Sequence, residues 1–201
     1  MNGHNTPPTA ATRLDVLELY RRTGAYLEGH FLLASGRHSA TFLQSTTVLQ
    51  HPEYAERIGY ALAARLQQNS LQGQQPDFVL GPAMGGVVLS YIVARALGCR
   101  ALFAEKDTQG AMHIREAFRI GAGERFVAVE DVITTGGSLY RAVDAAQKVG
   151  AQCLGVGCII DRGQSQLPAN LAMTALMQLS FRSYAAEECP LCRADIPLEK
   201  I

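Results

Sequence analysis

Two adjacent carboxylates precede a short run of threonines and glycines in the segment "FVAVEDVITTGGS". The acids, Glu130 and Asp131, follow four apolar residues, and residues 134–138 supply hydroxyls and glycines just before a stretch with helical spacing. Such a loop lets successive backbone N–H groups point into one concavity at the beginning of a helix, where the helix dipole also favours an anion. These residues therefore predict a phosphate-binding loop.

The two acids restrict what else can lie at this loop. Carboxylates placed directly against a phosphate would repel it, so Glu130 and Asp131 must face a neutral or positive group. A ribose diol meets that need, and so does a sugar carbon that gains positive charge in a transition state. The loop lacks the spacings of a Walker loop and of a dinucleotide fingerprint. The structural alternative is a pair of acids that cap a turn in a tight strand-to-helix connection.

Apolar runs of strand length alternate with helical segments through the centre of the chain. The segments "DFVLG", "CRALFAE", "RFVAVED" and "CLGVGCIID" are typical of strands, whereas "GVVLSYIVARALG" and "SLYRAVDAAQKVG" have helical spacing. Strands that are apolar at every residue and separated by helices indicate a parallel sheet covered on both faces, so we predict an α/β, doubly wound domain. Ligands bind at the carboxyl ends of such strands, which here lead into "GPAMGG", "EDVITTGGS" and "DRGQSQ".

The N-terminal part of the chain has a different pattern. A helix, "RLDVLELYRRTG", precedes two extended runs in "YLEGHFLLASGRHSATFLQ", which are joined by a polar turn at about residues 35–39. The segment "PEYAERIGYALAARLQQ" then predicts an amphipathic helix with a proline near its start. We predict one domain over residues 1–201, with N-terminal elements to about residue 50, an α/β core over about 51–180 and a tail over 181–201.

Composition limits the classes of function. The chain has 201 residues, 48% of them hydrophobic, and a formal net charge of zero, which suits one globular domain and gives no reason to expect a nucleic-acid or membrane partner. The N-terminal residues lack the apolar core of a signal peptide, and we expect a cytoplasmic protein. Five cysteines, three of them inside apolar runs, fit reduced thiols better than a disulfide framework.

The segment "VAVEDVITTGGS" resembles the phosphoribosyl diphosphate (PRPP) loop of the type I phosphoribosyltransferases. In that family the two acids hold the ribose hydroxyls and the Thr-Thr-Gly-Gly-Ser run wraps the 5′-phosphate. The resemblance implies that PRPP is bound by Glu130, Asp131, Val132, Ile133, Thr134, Thr135, Gly136, Gly137 and Ser138.

Further segments are similar to one branch of that family, the orotate phosphoribosyltransferases. The run "GHFLLASGRHSATFLQ" resembles their small N-terminal hood, "VLGPAMGGVVLSYIVARALG" their pyrophosphate loop and helix, and "IIDRGQ" their strand and base-site arginine. The C-terminal "EECPLCRADIPLEK" is similar to the tail of a short, Thermus-like subgroup. The matches extend from about Leu27 to the end, and they imply a pentosyltransferase that forms orotidine 5′-monophosphate for pyrimidine (UMP) biosynthesis.

The resemblance assigns three residues to an orotate pocket. Arg162 would hold the carboxylate of orotate as a planar, bidentate cation. Thr134 would be shared between the base and the ribose, and Phe42 would lie against the pyrimidine ring. Two alternatives stay open, namely that Arg162 forms a surface pair with Asp161 and that Phe42 is a core residue of a hairpin.

The pyrophosphate loop departs from the family pattern. Many orotate phosphoribosyltransferases have lysines at the positions of Gly85 and Ala34, and both are missing here. The resemblance leaves backbone amides to receive the leaving group, at Ala83, Met84 and Gly85.

Cations for the pyrophosphate must then come from elsewhere, and "EKDTQGAMHIREAF" offers three. Lys106, His113 and Arg115 lie among glycine and polar residues, which suits a mobile lid that closes over a polyanion. With Asp131 they form the predicted catalytic set, and the resemblance implies a homodimer in which each lid serves the neighbouring subunit. The alternative is a solvated β-hairpin whose charges contribute little.

The implied reaction is displacement at the anomeric carbon of PRPP. An orotate nitrogen attacks as pyrophosphate leaves, the ribose becomes oxocarbenium-like, and Mg²⁺ bridges pyrophosphate and ribose oxygens. We expect PRPP and water to hold the Mg²⁺, because the sequence offers no His/Asp ligand cluster, and no protein metal site is predicted. A phosphoribosyltransferase for another base and a PRPP-binding regulator without turnover remain the alternative functions.

Cys189 and Cys192 form a single Cys-x-x-Cys near the C-terminus. One such pair is half a zinc site, and no second pair or His-x-His follows it, so a complete site within the chain would need a remote cysteine. We predict a plain turn in the tail, with a zinc, redox or intersubunit role as the alternatives.

Overall fold

The computed structural model describes residues 14–33 and 35–200. Ala34, one of the two positions where the family pattern has a lysine, lies outside the described residues, as do residues 1–13 of the predicted domain. The helices are α1 (Val16–Arg22), α2 (Ser45–Leu49), α3 (Pro52–Leu66), α4 (Gly85–Leu97), α5 (Gly137–Lys148) and α6 (Pro190–Arg193).

The central sheet has six strands in the order β5-β4-β3-β6-β7-β8. Neighbouring strands are parallel except for the edge strand β5, which pairs antiparallel with β4 as a hairpin. This arrangement confirms the predicted α/β class with a mostly parallel sheet. The strands are β3 (Phe78–Pro82), β4 (Arg100–Lys106), β5 (Met112–Ile114), β6 (Arg125–Ile133), β7 (Gln152–Asp161) and β8 (Met173–Gln178).

Both faces of the central sheet are buried. In β6, Val127 and Val129 belong to the cluster that includes the inward faces of α3 and α4, whereas Phe126 and Ala128 belong to the cluster that includes α5. Successive side chains of a strand point to opposite faces, so a strand buried on both sides must be apolar at every residue. The unbroken apolar runs of the sequence are therefore explained by helices on each face.

A second, four-stranded sheet forms the hood, in the order β10-β1-β2-β9. Strands β1 (Tyr26–Leu32) and β2 (His38–Leu43) pair antiparallel, as predicted. The turn between them ends at Arg37, one residue before β2, so it is shorter than the predicted 35–39. The edge strands β9 (Ser183–Tyr184) and β10 (Glu199–Lys200) come from the tail, which thus completes the hood sheet from the far end of the chain.

Several elements agree with their predictions, whereas others were missed. The helices at Val16–Arg22, Pro52–Leu66, Gly85–Leu97 and Gly137–Lys148 and strands β3, β4, β6 and β7 were predicted. The elements that were not predicted are β8, the short helices α2 and α6 and the hood edge strands β9 and β10. Strand β8, "MTALMQ", is only partly buried and has no β-branched run to mark it. Among the described residues, none of the helices combines the length and the apolar composition needed to cross a bilayer.

Candidate active site

The carboxyl ends of β6 and β7 bring two of the predicted loops together. The strands are in register at Ile133 and Asp161, and the N–H of Arg162 donates to the carbonyl of Ile133 at 2.8 Å. Thr134 and Arg162, each the first residue after its strand, therefore lie side by side. Parallel pairing alone makes neighbours of two residues that are remote in sequence.

The phosphate loop is short and leads directly into a helix. Strand β6 runs to Ile133, α5 begins at Gly137, and Gly136 adopts a left-handed conformation with φ of 80°. Glycine reaches that conformation without the steric cost that a Cβ imposes. The N–H of Gln166 donates to the carbonyl of Thr135 at 3.0 Å, so the loop after β7 contacts the phosphate loop and stabilises its conformation.

A cavity of about 180 Å³ opens over this loop at the start of α5. Backbone amides at a helix N-terminus and hydroxyl side chains are the groups that a phosphate needs, so the cavity matches the predicted 5′-phosphate site. The cavity is lined by Glu130, Val132, Thr134, Thr135, Gly136, Gly137, Ser138 and Arg141.

Glu130 lies in this cavity but is largely withdrawn from solvent. Burial, and secondarily the neighbouring charge of Asp131, raise the pKa of Glu130 to about 8, although the positive charge of Arg141 acts in the opposite direction. Near neutral pH the side chain is therefore mostly protonated in the ligand-free protein. A protonated Glu130 does not repel a phosphate, which removes part of the conflict seen in the sequence.

Asp131 points the other way, toward the pyrophosphate loop between β3 and α4. A Cβ built on Gly85 would lie 2.8 Å from Oδ1 of Asp131, so the carboxylate occupies the space that any side chain at position 85 would need. Gly85, where many family members have a lysine, therefore leaves room for the Asp131 carboxylate in this position.

The amides of this loop are not all available to a ligand. The N–H of Ala83 donates to the carbonyl of Ala104 at 2.7 Å, because Ala83 continues the pairing of β3 with β4. The prediction that Ala83 offers its amide to pyrophosphate is therefore wrong. Met84, whose side chain is 82% exposed, and Gly85 are the remaining members of the predicted set.

A larger cavity, of about 360 Å³, lies between the hood and the ends of the central strands. It brings together the predicted base-site residues Phe42, Thr134 and Arg162 with Asp131 of the PRPP segment. The other lining residues are Leu33, Ser35, Arg37, Leu43, Val132, Thr135, Gln164 and Ser183.

Arg162 is a buried cation without an anionic partner in the described part of the chain. The residue is 9% exposed, its guanidinium lies 4.3 Å from the ring centroid of Phe181, and Nε has no hydrogen-bond partner. Desolvation lowers the pKa of Arg162. A buried charge of this kind is costly unless a ligand or an ion pairs with it.

Asp161 does not supply that partner. Its Oδ1 accepts a hydrogen bond from the N–H of Gly163 at 2.8 Å, and Oδ2 receives the amide of Gln178 at 3.4 Å. Asp161 is also buried, so the alternative of an Asp161–Arg162 surface pair is wrong.

Phe42 belongs both to the hood and to the cavity. Its ring centroid lies 6.0 Å from that of Phe31, and its half-buried side chain also lines the base-site cavity. The core role and the proposed ring contact are therefore compatible.

The predicted lid is the β4–β5 hairpin. Two of its cations face an acid of the same hairpin: Nη2 of Arg115 donates to Glu105 at 3.1 Å, and Nε2 of His113 lies 3.6 Å from that carboxylate. Lys106 is exposed at the end of β4. The hairpin alternative thus describes the local structure, and Glu105 is a partner that the sequence reasoning missed.

Arg115 lies far from the phosphate loop of its own chain. It lines a cavity together with Val149, which follows the C-terminal end of α5, whereas the phosphate loop precedes the N-terminal end. A helix of 12 residues is about 18 Å long. Within one chain, Arg115 and the phosphate loop are thus separated by about the length of α5.

Comparisons with known proteins show which family the chain is similar to. A model of the phosphoribosyl transferase domain matches residues 44–178. Orotate phosphoribosyltransferase from Thermus thermophilus is 53% identical over 94% of this chain and 100% of its own, and the enzyme of that name from Deinococcus radiodurans is 50% identical with the same coverage. The chain belongs to the orotate phosphoribosyltransferase family. The crystal structure of the Aeropyrum pernix orotate phosphoribosyltransferase covers 82% of this chain and 93% of its own with a TM-score of 0.68 and 21% identity, which supports the same fold.

Sequence reasoning missed two arginines at the site of this family member. Arg141 lines the phosphate cavity, and its Nη2 lies 3.4 Å from Oγ of Ser138. Its position one helical turn after Ser138 was a usable signal, because residues three apart share a helix face. Arg37 lines the base-site cavity and donates to Oγ and to the carbonyl of Ser183 at 2.9 and 2.6 Å.

The cysteine pair of the tail has partners that the sequence analysis did not name. Cys189 precedes α6 and Cys192 lies within it, as a tail turn would have them. Instead of a remote cysteine, the structure brings His30 and His38 of the hood to these thiols.

Proposed function

We propose that this chain transfers the phosphoribosyl group of PRPP to a nitrogen of orotate, releasing pyrophosphate and forming orotidine 5′-monophosphate. The observation that carries the base assignment is Arg162, a buried guanidinium that faces a cavity and lacks a carboxylate partner within the described residues. Orotate is a planar pyrimidine with a carboxylate, which suits a guanidinium in that position.

The PRPP half of the proposal rests on the phosphate loop and the two acids. The amides and hydroxyls of residues 134–138 bind the 5′-phosphate, and Arg141 adds a positive charge beside it. Asp131 lies between the base-site cavity and Gly85, so its carboxylate faces the ribose between the incoming base and the leaving group. There it holds a ribose hydroxyl and stabilises positive charge on the anomeric carbon.

Mg²⁺ remains part of the proposal. Asp131 and, once it has lost its proton, Glu130 would supply two carboxylates, which is fewer than a closed set of protein ligands needs, and this suits an ion held mainly by PRPP oxygens and water. When bound, Mg²⁺ would neutralise charge on the pyrophosphate as it leaves.

The proposal also includes a homodimer in which the lid of each subunit serves the active site of the other. Met84, Val88 and Tyr91 recur at helical spacing and are 82%, 44% and 66% exposed, which gives α4 an apolar outer stripe. The stripe begins in the pyrophosphate loop, so a second copy packed against it would lie next to the active site. Lys106 and Arg115 of that copy could then reach the pyrophosphate, whereas Arg115 of the same chain lies beyond the far end of α5.

Two other functions make different demands on these residues. A purine phosphoribosyltransferase would bind a base that has no carboxylate to pair with Arg162. A PRPP-binding regulator would bind PRPP without consuming it. We also propose a cytoplasmic location, because the five cysteines form no disulfide, which suits a reducing compartment.

Replacing Arg162 tests the base assignment. We expect Arg162→Ala to raise KM for orotate on the order of 10- to 100-fold and KM for PRPP little, because only orotate loses a charge-assisted pair. Steady-state kinetics with each substrate varied in turn would measure this. Arg57→Ala, on the exposed face of α3, is the matched control. Equal losses for both substrates would show that Arg162 is structural.

A further inference from the structure

We propose that His30, His38, Cys189 and Cys192 form a structural zinc site that fastens the C-terminal tail to the hood. The four potential ligand atoms, two imidazole nitrogens and two thiol sulfurs, all lie within 4.8 Å of one another. This set is separate from the carboxylates of the catalytic site and from the Mg²⁺ proposed there.

The distances within the cluster approach those of a tetrahedral site. Bonds of usual length from zinc to nitrogen and sulfur separate two nitrogens by about 3.3 Å and a nitrogen from a sulfur by about 3.5 Å. Nε2 of His30 lies 3.5 Å from Sγ of Cys189 and 3.6 Å from Sγ of Cys192, and Nδ1 of His38 lies 3.2 Å from Sγ of Cys192. The two nitrogens are 2.9 Å apart, about a few tenths of an ångström closer than in such a site.

Strand pairing places the two histidines on one face of the hood. Leu32 of β1 pairs with His38 of β2, and His30, two residues before Leu32, shares its face. A β-bulge between Glu28 and Phe31 disrupts the ladder at this point, as bulges do where a side chain is re-aimed. The cysteines arrive from the tail, where the start of α6 turns both sulfurs toward the same point.

The surroundings of the cluster prepare it to bind a metal. His30 is 1% exposed, His38 4% and Cys189 0%, so three of the four ligands are already out of water. Nδ1 of His30 lies 2.7 Å from the carbonyl of Ile196 and, since a carbonyl only accepts, must donate to it. That bond leaves the lone pair of Nε2 facing the cluster, and metal-ligating histidines are commonly oriented by a hydrogen bond of this kind.

The donor set identifies the metal and its role. Two thiolates and two imidazoles select zinc over the hard cations, which prefer oxygen, and four protein ligands leave no open position for catalysis. Binding displaces one proton from each of the two thiols, and no bond to carbon changes. The site is therefore structural.

The cross-link bears on the base-site cavity, and this consequence rests on the proposed function. Arg37, adjacent to His38, holds Ser183 of β9 through its side chain, and both residues line the cavity. A metal that ties the tail to β1 and β2 fixes this wall, so its removal should raise KM for orotate more than KM for PRPP.

Metal analysis of the purified full-length chain tests the site independently of any activity. After reconstitution with ZnCl₂ under reducing conditions and removal of excess metal, we expect about one zinc per chain in the wild type. We expect less than about a tenth of that in Cys192→Ser. Cys99→Ser, whose thiol lies outside the cluster, should keep the full equivalent.

Cobalt supplies a second readout that does not depend on how well a variant folds. Wild-type protein loaded with Co²⁺ should show the visible absorption of tetrahedral cobalt together with a thiolate charge-transfer band. Wild-type protein that retains no zinc, Cys192→Ser that retains the full equivalent, or a Cys189–Cys192 disulfide in protein kept under reducing conditions would each overturn the proposal, whatever the enzyme does with orotate.

Discussion

At the residue scale, environment separates two neighbouring acids of identical chemistry. Glu130 is withdrawn into the sheet and has a pKa of about 8, whereas Asp131 stands at the edge of the base-site cavity. The raised pKa means that the folded chain holds a proton that the unfolded chain releases near pH 4.5. Protonation of Glu130 thus stabilises the ligand-free fold, and ionisation destabilises it.

The sign of this linkage gives a pH prediction. Between pH 4.5 and about 8 the folded state binds more protons at Glu130 than the unfolded state, so this group makes the free energy of unfolding fall as pH rises through that window. We expect the fall to reach a few kcal/mol and to disappear in Glu130→Gln. Urea denaturation of wild type, Glu130→Gln and the surface control Glu53→Gln across this range would measure it. A window that persists in Glu130→Gln would assign the pH dependence to another group.

The site residues that could be predicted from the sequence differ from the missed ones in how the fold brings them together. Glu130 to Ser138 are contiguous, and Arg162 follows a strand whose pairing is predictable, so both parts of the candidate site could be predicted from the sequence. The partners of Cys189 and Cys192 were not, because His30 is 159 positions from Cys189. A regular hairpin drawn from the pair Tyr26–Leu43 would have placed His30 and His38 on opposite faces, and only the β-bulge between Glu28 and Phe31 brings them to one face.

At the element scale, the glycines of the pyrophosphate loop allow close approaches that a side chain would disturb. A Cβ on Gly85 would lie 2.8 Å from the Asp131 carboxylate, and a Cβ on Gly81 would lie 2.2 Å from the carbonyl oxygen of Gly86. The sequence predicted the loop between β3 and α4 but gave no indication of these approaches. These close approaches depend on the path of the chain between β3 and α4, which no local sequence pattern predicts.

Gly85→Ala tests this arrangement. Its Cβ would fall 2.8 Å from the Asp131 carboxylate and displace it, so we expect kcat/KM to fall at least about tenfold, equivalent to about 1.4 kcal/mol, with the fold retained. Kinetics together with a thermal melt would distinguish lost catalysis from lost folding. Gly121→Ala is the matched control, because its Cβ would meet nothing closer than 3.6 Å. Full activity in Gly85→Ala would mean that Asp131 can move without consequence.

At the scale of the whole molecule, the distribution of cations favours a shared active site. The phosphate loop has Arg141, and the base-site cavity has Arg37 and Arg162, but the pyrophosphate loop has no cation of its own. The hairpin residues Lys106 and Arg115 of a second copy of the chain would supply the cations that the pyrophosphate loop lacks.

Mixed dimers test the shared lid. A chain with Lys106→Ala and Arg115→Ala and a chain with Asp131→Asn should each be inactive as homodimers. After subunit exchange we expect about a quarter of wild-type turnover, since about half of the dimers are mixed and each of these has one complete site. Native mass spectrometry would confirm the exchange, and wild type mixed with either variant is the control. Verified mixed dimers that stay inactive would contradict the shared lid.

The formation of orotidine 5′-monophosphate tests most directly whether this chain joins orotate to the phosphoribosyl group of PRPP. The purified wild-type chain, given orotate, PRPP and Mg²⁺, should release the nucleotide and pyrophosphate in equal amounts. Uracil, which lacks the carboxylate that Arg162 is proposed to bind, should react at least about 100-fold more slowly in kcat/KM. PRPP that binds without being consumed, or a purine that reacts faster than orotate, would contradict the proposed function.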